Sequence, residues 1–247
     1  MRSQRIPPLP STRKRQPATA DRTLVAQAYE SIRDLITAGH LGPGSLVVER
    51  DLARRLGMSP TPVRAALHRL DQQGYLVTSS RTRVPRVVVA PLRRADMAEL
   101  YFLIGDLEGW AARACAELRR AERHRVAEAI ATVNRALGDL TGARPIDVGK
   151  SHDLDALWHR TIVEAGGGPR LLALLATLKP QADRYDRMYV TSLGDTIALS
   201  VEEHRAVERA IRRGDGDGSR EAMMTNWNNS AERLGRVIDA RGETGLL

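Results

Sequence analysis

The sequence predicts a mainly α-helical protein in two parts, a small N-terminal unit of three helices closed by a β-hairpin and then an all-α antiparallel helical bundle. Three observations predict it. Apolar residues recur at helical spacing along most of the 247 residues. Only the stretch after Gly74 is dense in β-branched residues over strand-like lengths. The charge is one-sided: residues 1–90 hold 15 Lys and Arg against 6 Asp and Glu, whereas residues 91–247 hold 23 against 24, within a formal net charge of +8. Such an excess on one part is the footprint of a polyanion-binding unit joined to a neutral second domain.

The expected organisation is a disordered basic arm over residues 1–21, a first domain over 22–90 and a helical domain over 91–242. The arm holds Pro7, Pro8, Pro10 and Pro17, five basic residues and little that could be buried. From Leu24, the residues Leu24, Ala28, Ile32 and Ile36 recur at spacing four, and the helix stops before Gly39, Gly42, Pro43 and Gly44. A short helix follows over Glu49–Leu56, with Gly57 as its stop. Ser59-Pro60 is an N-cap with a first-turn proline and starts a third helix that runs to about Gln73. Tyr75–Thr78 and Val84–Val89 are the hairpin strands, with a polar turn over Ser79–Arg83 between them. Three helices and a hairpin in this order make a winged helix-turn-helix. Beyond Pro91 six helices are expected, near 94–118, 121–139, 147–165, 169–189, 194–213 and 217–240, with breaks at glycine and proline clusters.

Several classes are excluded by composition. One cysteine, Cys115, can build neither an internal disulfide nor a multi-thiolate zinc site. No window approaches the roughly 18–20 consecutive apolar residues of a membrane span, and the Arg-rich start is followed by polar residues where a signal peptide needs its apolar core. A cytoplasmic protein with no membrane partner is expected. Cys115 lies among Ala111, Ala112, Ala114 and Ala116, which suits close helix packing better than redox sensing.

On the third helix Val63, Ala66, Leu67 and Leu70 fall at i, i+3, i+4 and i+7 and face the core. The other side then displays Thr61, Arg64, Ala65 and His68, with Pro62 in the first turn, near the helix end that enters a major groove. Arg64 has the geometry for a bidentate bond to guanine. Ser59 and Thr61 suit phosphate or a thymine methyl, Arg50 reaches backbone or base, and Arg81 and Arg83 in the hairpin turn are placed for a flanking minor groove. The alternative is a helical hairpin with solvated arginines, which leaves the charge partition unexplained.

The segments Ile36–Gly44, Glu49–Ala53, Leu56–Ser59 and Thr61–Leu67, continuing through Leu70 and Gly74, resemble the DNA-binding domain of the GntR family. The resemblance implies base and phosphate contacts at Arg50, Ser59, Thr61, Pro62 and Arg64, with a wing at Arg81–Arg83. Pro60 stands where the family often has arginine, and the wing lacks its usual glycine.

In the second half Asp155 and His159 lie four apart, on one helix face, as the ligands of one ion or as a surface salt-bridge pair. Distant His204 and Asn226 sit on later helices. A carboxylate with imidazoles suits Zn²⁺, Ni²⁺ or Mn²⁺. Tyr101–Glu108, Asp155–His159, Glu203–Val207 and Ala222–Asn226 resemble the FCD effector domain of the FadR subfamily. The resemblance implies a metal held by Asp155, His159, His204 and a fourth position, Asn226, where many members have histidine; Asn226 is alternatively a hydrogen-bond donor to an effector. Gly105 and Gly168 replace an arginine and an asparagine usual in the family, so an altered pocket is expected. Arg184 and Arg187 are candidates to pair with an anionic effector, a carboxylate, or are simply solvated.

The function expected is a ligand-responsive transcription regulator rather than an enzyme: a homodimer on a palindromic double-stranded DNA operator, acting as a repressor, with a small metabolite sensed in the helical domain. Two rivals stand beside it. A metal-dependent hydrolase built on Asp155, His159 and His204 lacks a general base beside an open coordination position and leaves the basic half without a role. A DNA-compacting protein would bind through its basic arm and phosphate contacts alone.

Overall fold

A computed structural model describes residues 19–79, 86–141, 146–189 and 196–245. The first domain comprises α1 (Thr19–Thr37), α2 (Glu49–Leu56), α3 (Pro60–Gln72), β1 (Leu76–Ser79) and β2 (Arg86–Val89). The bundle comprises α4 (Arg94–Glu117), α5 (Arg120–Leu140), α6 (Val148–Gly166), α7 (Pro169–Tyr189), α8 (Ile197–Arg213) and α9 (Gly216–Arg241).

The element order is the expected one, with small differences at boundaries. Helix α1 begins at Thr19, inside the segment expected to be a disordered arm; residues 1–18 lie outside the described residues. Helix α2 ends where its glycine demands, since Gly57 has φ +64°, the left-handed region that only glycine enters without strain. Ser59 has the extended backbone of an N-cap, but its side chain makes no capping hydrogen bond. Asp147 and Asp215 do cap, accepting from the backbone N–H of Lys150 and Gly218 at 2.9 Å each. The hairpin is antiparallel, with Leu76 opposite Val89 and Ser79 opposite Arg86.

Two apolar cores form. In the first domain Ala28, Ile32, Val63, Ala66, Leu70 and Val89 are all fully buried. In the bundle α4 is the central helix and packs against α6, α7, α8 and α9. It can be central because one of its faces is made of small residues. A Cβ on Gly105 would lie 2.9 Å from that of Trp227, and one on Gly109 would lie 3.1–3.2 Å from Arg220 and Met224. Gly105, having no side chain, thus leaves the space that Trp227 fills.

The domains are tied together by α7, the linker and the chain's C-terminal turn. Gly74 packs against Gln181, and the Arg184 guanidinium donates to the Ala90 carbonyl at 2.5 Å and lies 5.9 Å from the centre of the Tyr75 ring. Leu92 forms an isolated bridge with Thr244, a pairing not expected in a helical half. The Tyr189 hydroxyl donates to the Gly242 carbonyl at 3.2 Å.

The close approach of α6 to α4 at Gly166 predicts a mutational cost. A Cβ on Gly166 would meet the Ala111 carbonyl oxygen at 2.1 Å and the Cys115 sulfur at 2.9 Å. Gly166→Ala is expected to force α6 away from α4 and cost about 1–3 kcal/mol, read as a lower urea midpoint with an unchanged slope.

Candidate functional site

On α3 the side chains of Thr61, Arg64, Ala65 and His68 are exposed while Val63, Ala66 and Leu70 are buried, so the face expected to read DNA is open to solvent. Arg50 and Ser59 are exposed beside it. Pro62 differs: it is buried, because it lies one turn before Ala66 on the core side of the helix, and shapes the first turn instead of lining the open face. Arg81 and Arg83 lie outside the described residues.

One partner of Arg64 had no signal in the sequence. Its Nε and Nη2 donate to the two carboxylate oxygens of Glu49 at 2.8 Å each, a bidentate pair linking α3 to the start of α2. The hydrogen bonds from Arg64 hold the Glu49 carboxyl below the ordinary carboxylate range.

In the bundle, Asp155 and His159 from α6 meet His204 from α8, with one ligand atom of each within 4.8 Å of the others. The two imidazoles are oriented from behind. The His159 Nδ1–H donates to Glu108 on α4 at 2.6 Å, which leaves Nε2 as a lone pair 3.8 Å from Asp155. On α5, Asn134 donates its amide to the Val201 carbonyl at 3.0 Å, so its oxygen accepts from His204 Nδ1 at 3.0 Å. His204 Nε2 then points 3.5 Å from Asp155 and has no hydrogen-bond partner, although it is buried. The flat stacking of Trp158 on His204, centroids 3.7 Å apart at 7°, holds the ring in that pose. Burial, the dominant cause, pushes the His204 imidazole down to about 3, so it is neutral. A buried lone pair without a donor beside a second oriented imidazole and a carboxylate is a donor set that fits a borderline divalent cation.

Glu108 is the hinge of this arrangement and was not assigned a role from the sequence. It is 1% exposed, and besides His159 it accepts from Lys179 on α7 at 3.0 Å and from Trp227 on α9 at 2.9 Å. Burial pushes its carboxyl up, but Lys179 and His159 outweigh that and hold it down at about 2. A glutamate among Ile104, Gly105, Ala111 and Ala112 and a lysine in the leucine-rich start of α7 are the signals that a buried pair was there to be found.

A cavity of about 120 Å³ opens beside the cluster, walled by Tyr101, His152, Asp155, Asp186, Asn226 and Arg233 among others. Asn226 is on this wall, with its amide nitrogen donating to Glu203 at 2.9 Å. Glu203 also takes Arg233, at 2.7 and 3.0 Å. The two arginines expected to bind an anion are elsewhere. Arg184 is two residues from Asp186, roughly half a turn around α7, and so faces the linker, while Arg187 is exposed away from the cavity. Cys115 is buried, with its thiol pushed up to about 12 by burial and donating to the Ile162 carbonyl at 3.3 Å. Trp158 and Trp227 pack in the bundle core.

Comparison with known families assigns both halves. The model of the FCD domain matches residues 99–229, and that of the gntR family of bacterial regulatory proteins matches residues 24–84. The chain belongs to the GntR family and carries an FCD domain. It is a transcriptional regulator. It is 26% identical over 225 residues to an HTH-type transcriptional regulator in an unstable DNA locus of Streptomyces ambofaciens, covering 89% of this chain and 88% of that one. A protein of Paenarthrobacter nicotinovorans named as a probable D-xylose utilization operon transcriptional repressor is 28% identical over 203 residues, 81% of this chain and 84% of its own. Among solved structures, Escherichia coli McbR/YncC superposes with a TM-score of 0.63 at 20% identity, covering 86% of this chain and 97% of that one, which shows a shared fold. No described helix of this GntR regulator is long and apolar enough to cross a membrane.

Proposed function

We propose that this GntR regulator is a homodimeric repressor that reads a palindromic operator through α3 and releases it when a small molecule enters the bundle cavity beside a bound divalent metal. The observation that carries the DNA part is the open α3 face, with Thr61, Arg64 and His68 unobstructed by the bundle. The pair with Glu49 uses the Nε–Nη2 edge of Arg64, and the other guanidinium edge remains for O6 and N7 of a guanine. Repression has the support of one relative, whose printed name is that of a repressor. The hydrolase reading gains no support from the comparisons.

Asp155, His159 and His204 would hold the metal, with the Asn226 oxygen on the same cavity wall as a further, weaker donor. Zn²⁺, Ni²⁺ and Mn²⁺ suit this donor set. The ion would supply a fixed positive charge that takes a lone pair of the effector. Signal transfer follows from α7, which carries Asp186 to the cavity wall and Lys179 to Glu108, behind His159, and presses Gln181 and Arg184 on the first domain. An effector that favours one setting of α7 biases the placement of the DNA-reading heads by its differential affinity.

The dimer surface is the outer side of α4 and α7. Phe102, Trp110 and Leu174 are 56%, 53% and 54% exposed, with Leu103 and Leu172 beside them. Exposed apolar side chains on these two helices suit an isologous twofold contact.

Three outcomes are expected. Arg64→Ala loses about tenfold or more of the preference for an operator selected from random DNA, with the melting of the bundle unchanged; equal loss on random DNA would point to phosphate contact only. Trp110→Asp shifts the light-scattering mass from dimer to monomer. Protein purified without chelator contains close to one equivalent of a transition metal by elemental analysis, and His159→Ala contains far less; absence from both retires the metal.

A further inference from the structure

The segment after α9 is tied to both domains at once. Gly242 ends α9, its N–H donating to the Ile238 carbonyl at 2.7 Å, and its own carbonyl accepts from the Tyr189 hydroxyl of α7 at 3.2 Å. The next three residues run across the linker. The Glu243 carboxylate accepts at 2.8 Å from the N–H of Arg94, the first residue of α4, where Arg93 supplies no side-chain cap of its own. Thr244 exchanges two backbone hydrogen bonds with Leu92, at 2.9 and 3.3 Å. Gly245 then reaches the first domain, and there the contact is backbone on backbone. A Cβ on Gly245 would lie 2.5–2.7 Å from Pro43 and Gly44, and a Cβ on Gly44 would lie 2.8 Å from the Gly245 carbonyl oxygen. Gly44 and Gly245 have φ of +76° and +80°, so conformation and space together exclude side chains at both positions. The turn they share is fixed to β2, since the Gly44 N–H donates to the Val89 carbonyl at 2.8 Å.

Where this contact falls matters for DNA. Only residues 90–93 join β2 to α4, and two domains on a short linker move relative to each other unless their interface is extensive. The α7 contact engages Gly74 and Tyr75, whereas Gly245 engages Pro43 and Gly44, a different turn of the first domain. A domain held at one turn can swing about it; a second hold at another turn removes that freedom. For a regulator with two such domains on one operator the consequence is metric. Each base pair added between half-sites moves one of them by about 3.4 Å and turns it by about a tenth of a helical turn. A head that cannot swing cannot follow.

We infer that residues 242–245 are a positioning segment that sets the half-site spacing this regulator accepts, by clamping the turn at Pro43 and Gly44 to the bundle. This rests on the homodimer reading, and it assigns the segment no contact with DNA or effector.

The test compares the native chain with one ended after Gly242, which keeps the cap of α9. Both are titrated against an operator selected from random DNA, against the same operator with one or two base pairs inserted or removed between its half-sites, and against an isolated half-site. On a two-base-pair change the native chain is expected to lose about tenfold or more in affinity, and the shortened chain about threefold or less. Half-site affinity is expected to stay within about twofold, because the α3 face is untouched, while trypsin cuts the linker at Arg93 or Arg94 several-fold faster. Gly166→Ala, which loosens the bundle elsewhere, is the control: it lowers the melting temperature and keeps the spacing preference. Should the shortened chain fail to fold, Gly245→Val in the full chain carries the comparison, since its side chain has no room against Pro43 and Gly44. If neither folds, the segment is a folding element and the inference falls. An undiminished spacing preference in the folded variant, or parallel loss on operator and half-site, also overturns it. Those results leave the dimeric regulator standing, whereas a native chain indifferent to spacing sinks the homodimer reading itself.

Discussion

The bundle is organised around one buried carboxylate. Glu108 sits on the central helix α4 and takes hydrogen bonds from α6, α7 and α9 through His159, Lys179 and Trp227. A charge so deeply buried persists only when its partners are in place, so the three helices are held in register by the penalty for leaving it unpaired. The same contact sets the chemistry in the cavity. By accepting from Nδ1 of His159 it leaves Nε2 as the free lone pair, and Asn134 does the equivalent for His204. Removing Glu108 would therefore loosen both the packing and the candidate ligand set.

Helix α7 converts that local arrangement into a connection between domains. Over about two turns it presents Lys179 to Glu108, Gln181 and Arg184 to the first domain, and Asp186 to the cavity. These contacts leave on different sides of one helix, so a rotation that relaxes one side displaces the other. The Leu92–Thr244 bridge fastens the linker to the segment after α9, and the Tyr189 contact to Gly242 fastens the end of α7 to the same segment. Arg184 illustrates why position on α7 matters: its charge, half a turn from Asp186, serves the linker carbonyl of Ala90 and not a ligand.

Much of this was legible beforehand because it is local. The stop of α2 at Gly57, the start of α3 at Pro60 and the in-out pattern of Val63, Ala66 and Leu70 follow from backbone conformation and helical period alone. The pairing of Asp155 with His159 follows from the same period. Pro62, a contact position implied by the family resemblance, is buried because its angular position on α3 coincides with that of Ala66.

What the amino-acid order determined by itself was the sequence of elements, the buried faces of the helices and the partition of charge between the halves, since each is set by residues a few positions apart. The tertiary structure decided which distant groups meet: His204 with Asp155, Lys179 with Glu108, Arg64 with Glu49, and Arg184 with the linker instead of the cavity. Helical period fixes where a side chain points around its own axis, but the rotation and depth of one helix against another come from how glycines and large side chains interlock, as Gly105 does with Trp227.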